Sequence, residues 1–262
     1  MNRRIYLLNS YIGIFCLLFA CDAYAQKKSI SIKVMTYNTH SGHQKGIESI
    51  ANVIKAADPD VVALEEIERN TEANPMDFPA ELAKLTGMSY YYFAKALDLK
   101  KGDYGNAILS KYPISDEKSY PLSIVNNKGG FPRSIGIVKV KIDGKKFYFA
   151  VTHLDHKGDM NRLKEVEEIR EYTKNLRGPI ILAGDFNSHP DGAAIKTITQ
   201  WFTLGCINGD CGWTAPAPVA KYTIDYVMYA PKNAFSTEKY DVIHTANSES
   251  DHFPVLATFQ MR

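Results

Sequence analysis

Side chains that bind cations or carry protons recur at the ends of short apolar runs along this chain of 262 residues. Asn38 follows the run at 30–37, Glu66 the run at 60–64, and His153 the run at 146–152. Asp185 and Asn187 follow 179–183, Asp225 lies inside 224–229, and Asp251-His252 precedes 254–259. Loops at strand ends are where binding and catalysis concentrate. Carboxylates and carboxamides are hard oxygen ligands suited to Mg2+, Mn2+ or Ca2+ rather than to soft-ligand metals. Two imidazoles among them can move protons or donate hydrogen bonds to an oxyanion. This mixture fits hydrolysis of a phosphoester: the phosphate is neutralised, a water activated and the leaving oxygen stabilised.

Singly, each residue has a plainer reading. Asn38 is a turn former after a strand, Glu66 shares its surroundings with Glu65, Glu68 and Arg69, and His153 suits a satisfied core position. Asp185 and Asn187 could cap a helix starting near Asp191, and Asp225 could pair with a neighbouring base. The ordered set carries the functional reading, because all of these independent alternatives would have to hold together.

The elements that must position these residues are strands and helices in alternation. Residues 30–37 (ISIKVMTY) alternate apolar and polar positions, as a half-buried strand does. Ile47, Ile50, Ala51, Ile54 and Ala57 fall at helical spacing, and Asp58-Pro59 ends that helix. Residues 60–64 read as a buried strand, and Phe78, Leu82 and Leu85 as a helix closed by Gly87. Strands are predicted over 90–94, 106–109, 134–142 and 146–152, with Asp143-Gly144 as a hairpin turn. A helix over 160–176 carries Leu163, Val166, Ile169, Tyr172 and Leu176 on one face. Strands at 179–183, 224–229 and 254–259 complete the pattern. Neither a low-complexity linker nor a short repeat interrupts it, so one α/β domain is expected, with sheets packed together and helices outside.

Seven pieces in order resemble the endonuclease/exonuclease/phosphatase family of DNase I-like metal-dependent phosphoesterases. They are Met35-Thr36-Tyr37-Asn38, Leu64-Glu65-Glu66, Tyr104-Gly105-Asn106, Thr152-His153-Leu154-Asp155, Gly184-Asp185-Phe186-Asn187, Ile224-Asp225-Tyr226 and Ser250-Asp251-His252. The resemblance implies a four-layer α/β/β/α sandwich and a Mg2+ or Mn2+ cofactor. It makes Glu66 the principal metal ligand, with Asn38 and Asp251 beside the metal. It assigns Asp185 and Asn187 to the water and the phosphate, His153 to the phosphate oxygens, and His252, oriented by Asp225, to proton transfer. Between Asp185 and His252 as the base, His252 is favoured, because an unperturbed imidazole titrates near neutrality. Asn106 and Arg133 are further implied phosphate contacts. Three positions depart from the family pattern: Glu65 replaces a usual Gln, Phe131-Pro132-Arg133 lacks the acid of a Glu-Pro-Arg segment, and Thr223 replaces a basic residue. Glu65 either adds charge beside the metal or points to solvent.

The chain carries 31 basic and 29 acidic residues and is 45% hydrophobic, which excludes a disordered or coiled-coil protein and supplies no bulk basic field. Residues 1–25 have the features of a cleaved export signal: Arg3 and Arg4, an uncharged stretch, then Ala23-Tyr24-Ala25. A competing reading takes Leu18-Phe19-Ala20-Cys21 as a lipoprotein box that would anchor the protein to a membrane through Cys21. Cleavage after Ala25 would leave residues 26–262 as the mature domain, with a net charge of +1 and only Cys206 and Cys211 as thiols. In an exported protein that pair is expected to close a small disulfide loop rather than a zinc site. The expected product is an exported monomer that hydrolyses small-molecule or lipid-derived phosphoesters, phospholipid head groups included. A nuclease using a stripe of Lys100, Lys101 and Lys111 is the alternative, and a catalytically silent binding module a more remote one. Near-neutral charge favours the first, because phosphate contacts make nucleic-acid affinity steeply salt-dependent.

Overall fold

The computed structural model describes residues 29–125 and 129–262. The proposed signal at 1–25 and the lipidation site at Cys21 lie outside them. In chain order the elements are β1 (Ile30–Asn38), α1 (Ile47–Ala57), β2 (Val61–Arg69), α2 (Phe78–Thr86), β3 (Tyr90–Leu99) and β4 (Gly102–Ser110). They continue with β5 (Ile114–Leu122), β6 (Arg133–Ile142), β7 (Lys145–His153), α3 (Asp159–Thr173), β8 (Ile180–Asp185) and α4 (Ala193–Ile198). The last are β9 (Thr203–Leu204), β10 (Asp225–Ala230), β11 (Phe235–Val242) and β12 (Val255–Met261).

Two six-stranded sheets form, ordered β11-β12-β1-β2-β4-β3 and β5-β6-β7-β8-β10-β9. Each is antiparallel except for one central parallel pair, β1 with β2 and β7 with β8. A parallel pair needs a helical crossover, and α1 and α3 supply it. Period-two alternation sends Ile32, Val34, Val61, Phe149, Val151 and Ile181 into the space between the sheets. The opposite face of the first sheet presents Met35, Tyr37, Val62 and Leu64 to Ile50 and Ile54 of α1 and to Phe78 and Leu82 of α2. The second sheet likewise buries Ala150, Leu182 and Met228 against Val166 and Ile169 of α3 and Ile195 and Ile198 of α4. The result is the expected four-layer α/β/β/α sandwich.

This near-repeat is what builds the site. Parallel strands end together, so β1 and β2 bring Asn38 level with Glu65, and β7 and β8 bring His153 level with Asp185. Because β1 packs across β8, and β2 across both β7 and β8, the two strand-end pairs face one another at one rim. Gly184 is essential to the second pair. Its φ is +153°, and a Cβ there would lie 1.9 Å from Thr152 O of the neighbouring strand.

The sequence expectations hold for the central elements, and the differences have physical causes. Strand β2 runs past Leu64 to Arg69 through a bulge between Leu64 and Ile67, where Glu66 adopts φ +56°. Helix α2 begins with the Asp77 carboxylate accepting from Ala80 N at 3.2 Å and ends on Gly87 at φ +73°. Strands β5, β9 and β11, which the pattern does not reveal, all lie at sheet edges. The disulfide is formed, with the Cα atoms of Cys206 and Cys211 4.8 Å apart.

Candidate active site

Asp185 is the hub of the rim. It ends β8, is 1% exposed, and lies opposite Asp225 across the antiparallel β8–β10 pair. Asn38 Nδ2 donates to Asp185 Oδ2 at 3.1 Å and to Glu66 Oε1 at 3.3 Å, which ties the ends of the two sheets together. Asn187, at φ +46°, donates its backbone N–H to Asp185 Oδ1 at 2.8 Å, a tight turn that returns its side chain to the site. His153 Nε2 and His252 Nε2 stand 3.3 and 3.9 Å from Asp185 Oδ2. His252 Nδ1 lies 3.0 and 3.1 Å from the two Asp225 oxygens.

The two imidazoles are in opposite electrostatic states. Burial lowers His153 well below the usual histidine range, and the Arg133 charge adds to it. Burial would lower His252 too, but the Asp225 charge and hydrogen bond, with Asp185 and Asp251, hold it well above that range. His252 is therefore not an unperturbed imidazole. Burial and the Asp225 charge push Asp185 up to about 7. The tautomer of His153 is fixed by its neighbour: Arg133 Nη1 lies 2.9 Å from His153 Nδ1, and a guanidinium can only donate. His153 Nδ1 is thus the acceptor, and Nε2, left with the proton, stands 2.9 Å from the Asn187 amide and 3.3 Å from Asp185 Oδ2.

These side chains share one cavity of about 260 Å3, lined by Glu66, Tyr104, Phe131, Arg133, His153, His156, Asp185, Asn187 and His252. Six of these nine were expected from the sequence, whereas Tyr104, Phe131 and His156 were not expected to line the cavity. His156 lies three residues beyond His153, on the loop leaving the same strand, and a second imidazole at that spacing was the available signal. Asn106 is elsewhere: it is buried one step further along β4, and its amide donates to Ser134 O at 3.0 Å. Its amide ties the sheets together below the cavity, while Tyr104, on the same face of β4 and two residues nearer the rim, reaches the opening. Asp251 is exposed at the edge, with Oδ1 3.8 Å from His40 Nδ1. Glu65 does not reach solvent. It is fully buried, accepts from Thr36 Oγ1 at 3.0 Å, and is pushed well up by burial and the Asp225 charge. Burial thus favours the neutral form, which has the same charge as the usual glutamine.

Residues 35–252 match the model of the "Endonuclease/Exonuclease/phosphatase family". The chain belongs to the endonuclease/exonuclease/phosphatase family. It is 24% identical over 178 residues to the uncharacterized protein YbhP of Escherichia coli K12, covering 62% of this chain and 69% of that one. The fold is also that of an endonuclease/exonuclease/phosphatase protein from Beutenbergia cavernae, at 24% identity and a TM-score of 0.76, covering 88% of this chain and 72% of the other. The Bacteroides thetaiotaomicron mannosyl-6-phosphatase Bt3783 superimposes with a TM-score of 0.70 at 19% identity, over 87% of this chain and 99% of that one.

The donor set on the Glu66 side of the cavity suits a hard divalent cation of the kind implied for this family. Two carboxylates, Glu66 and Asp185, stand within hydrogen-bond reach of a single amide, where their mutual repulsion would be relieved by a cation. The Asp185, Asp225 and His252 ligand atoms also lie within 4.8 Å of one another. There, however, Asp225 and His252 already satisfy each other. Glu66 with Asn38 is the better metal-holding pair.

Proposed function

We propose that this protein is an exported, Mg2+- or Mn2+-dependent phosphoesterase acting on small-molecule or lipid-derived phosphoesters. The observation that carries the reading is the convergence of Glu66, Asn187, His153 and the His252–Asp225 pair on Asp185 within one small cavity. A bound cation, held by Glu66 with Asn38 and Asp251 nearby, supplies charge neutralisation for the phosphate. Asn187 and His153 Nε2–H donate to phosphate oxygens. Asp185 orients the attacking water and accepts its proton, and His252, charged through its pairing with Asp225, donates to developing oxyanion charge or to the leaving oxygen. The geometry thus favours a donor role for His252, and leaves Asp185 as the acceptor of the two.

Two observations support a small substrate over nucleic acid. The lysines that would form a basic stripe do not lie together: β4 pairs with β2 so that Ser110 is opposite Val61 while Asp103 is opposite Arg69. Lys100 and Lys101 therefore sit at the rim and Lys111 about 30 Å away at the other end of the strand, where it pairs with Asp58 at 2.5 Å. The chain also has a net charge of only +2, too little for a broad basic field. The known activity of Bt3783 as a mannosyl-6-phosphatase makes sugar phosphates a first class to assay. Export rests on the composition of residues 1–25; no described helix is long and apolar enough to cross a membrane. The test is a side-by-side assay of the purified protein with Mg2+ on sugar phosphates, phospholipids, nucleotides and single- and double-stranded DNA, each with a His252→Ala control. Turnover of small or lipid phosphoesters that the control lacks is expected; DNA as the best substrate would overturn the substrate assignment.

A further inference from the structure

We propose that Arg133 and His156 form a dianion-selecting wall of the active site, so that the substrate class is a phosphomonoester rather than a phosphodiester. The proposal rests on the phosphoesterase reading above and adds to it the type of ester cleaved.

Arg133 starts β6 and is 5% exposed. Its partners among the described residues are all neutral groups: His153 Nδ1 at 2.9 Å, His156 Nδ1 at 3.4 Å and the Tyr104 hydroxyl. The Phe131 ring lies beneath it, 5.2 Å from the guanidinium carbon, and Nε has no protein acceptor. A buried cation is costly unless an anion accompanies it. Of the two buried carboxyls that feel its charge, Asp155 is engaged otherwise, accepting from Phe131 N at 3.1 Å, from Asn161 Nδ2 at 2.9 Å and from Lys157 N, and burial pushes Glu165 up to about 7. The guanidinium thus brings a positive charge with no salt-bridge partner among the described residues to the cavity that also holds Glu66, Asp185 and His252.

The wall is also built to donate. Because Arg133 cannot accept, both imidazoles receive its N–H groups at Nδ1, and each is left with its proton on Nε2. His153 turns that donor toward the reacting position beside Asp185, and His156 sits at the exposed lip of the cavity above Arg133. A monoester dianion carries three terminal oxygens and one more negative charge than a diester. It can engage the metal side, His153 Nε2–H and the Arg133–His156 wall together. A diester has only two such oxygens, and its second ester arm would meet this charged wall instead of an apolar channel. Guanidinium–phosphate pairs are among the stronger hydrogen-bonded contacts.

The test compares ligands by calorimetry in Mg2+ at pH 8, where inorganic phosphate is largely a dianion and dimethyl phosphate a monoanion. The wild-type protein is expected to bind phosphate at least tenfold tighter than dimethyl phosphate, and Arg133→Gln to lose about 10- to 100-fold of phosphate affinity with little change for the diester. Arg133→Lys should recover part of the loss, and His156→Ala should show a smaller loss of the same selectivity. In parallel, kcat/KM for 4-nitrophenyl phosphate should fall more than for bis(4-nitrophenyl) phosphate. Equal losses for both ligands, a wild-type preference for the diester, or no binding of either ligand would overturn the proposal. Hydrolysis of neither ester, with phosphate still bound selectively, would instead sink the phosphoesterase reading and leave the anion site standing.

Discussion

The His252–Asp225 pair gives the sharpest physical prediction. Replacing Asp225 with Asn keeps the shape of the partner but removes the charge that holds the His252 imidazole well above its usual range. A hydrogen bond to a charged group is worth about 1.5–3 kcal/mol and a neutral one about 0.5–1.5 kcal/mol. At pH 6 in EDTA, Asp225→Asn, which trades the charged bond for a neutral one, should therefore lower unfolding stability by about 1–1.5 kcal/mol. The sign follows from linkage: a histidine whose folded pKa is raised contributes stability that is fully present below its unfolded pKa and is lost as pH rises through the folded value. The gap between wild type and variant should accordingly narrow above neutrality. Asp185 acts in the same direction, since it is held up to about 7 partly by the Asp225 charge, and the variant escapes that repulsion once Asp185 ionises. Urea denaturation from pH 6 to 9.5, with an NMR titration of His252, measures both effects. A gap that stays constant or widens with pH, or a wild-type His252 that titrates below the ordinary histidine value, would refute the reasoning.

Glu66→Gln should shift the Mg2+ requirement for hydrolysis to higher concentration in a metal titration, since Glu66 is the proposed metal carboxylate. Glu65→Gln should leave stability near neutral pH within about 0.5 kcal/mol and activity little changed, because the buried carboxyl is already held toward its neutral form; thermal melts and turnover check this. Gly184→Ala should destabilise the fold by more than about 3 kcal/mol and reduce soluble yield, because the new methyl would collide with the Thr152 carbonyl. Normal stability in that variant would mean that β8 can shift without disturbing the His153–Asp185 register.

How far the sequence reaches can be seen at particular residues. The central strands were legible because β1, β2, β6, β7, β8, β10 and β12 carry apolar residues on at least one packed face. Edge strands were not: β5 (ISDEKSYPL) exposes most of its length, β11 (FSTEKYDV) is mostly half-buried, and both carry a bulge, so no alternation survives to be read. Residue types at the motifs indicated the chemistry, but depth did not follow from them. Asn106 and Tyr104 share a face of β4, and only the packing of the second sheet decides which one meets the cavity. The bulge at Glu66 is similarly invisible in Leu-Glu-Glu, yet it buries Glu65 and turns its neighbour to the rim. His156 lay within the sequence window but acquires meaning only beside Arg133, which comes from a different strand.

The most direct test of the central claim is the rate of 4-nitrophenyl phosphate hydrolysis by wild type and His252→Ala, each measured with Mg2+ and with EDTA. The proposed metal-dependent phosphoesterase should show wild-type turnover that the chelator abolishes, and a variant slower by about 10²–10⁴-fold whose fold is intact. Undiminished wild-type turnover in EDTA, or full turnover in the variant, would contradict the account.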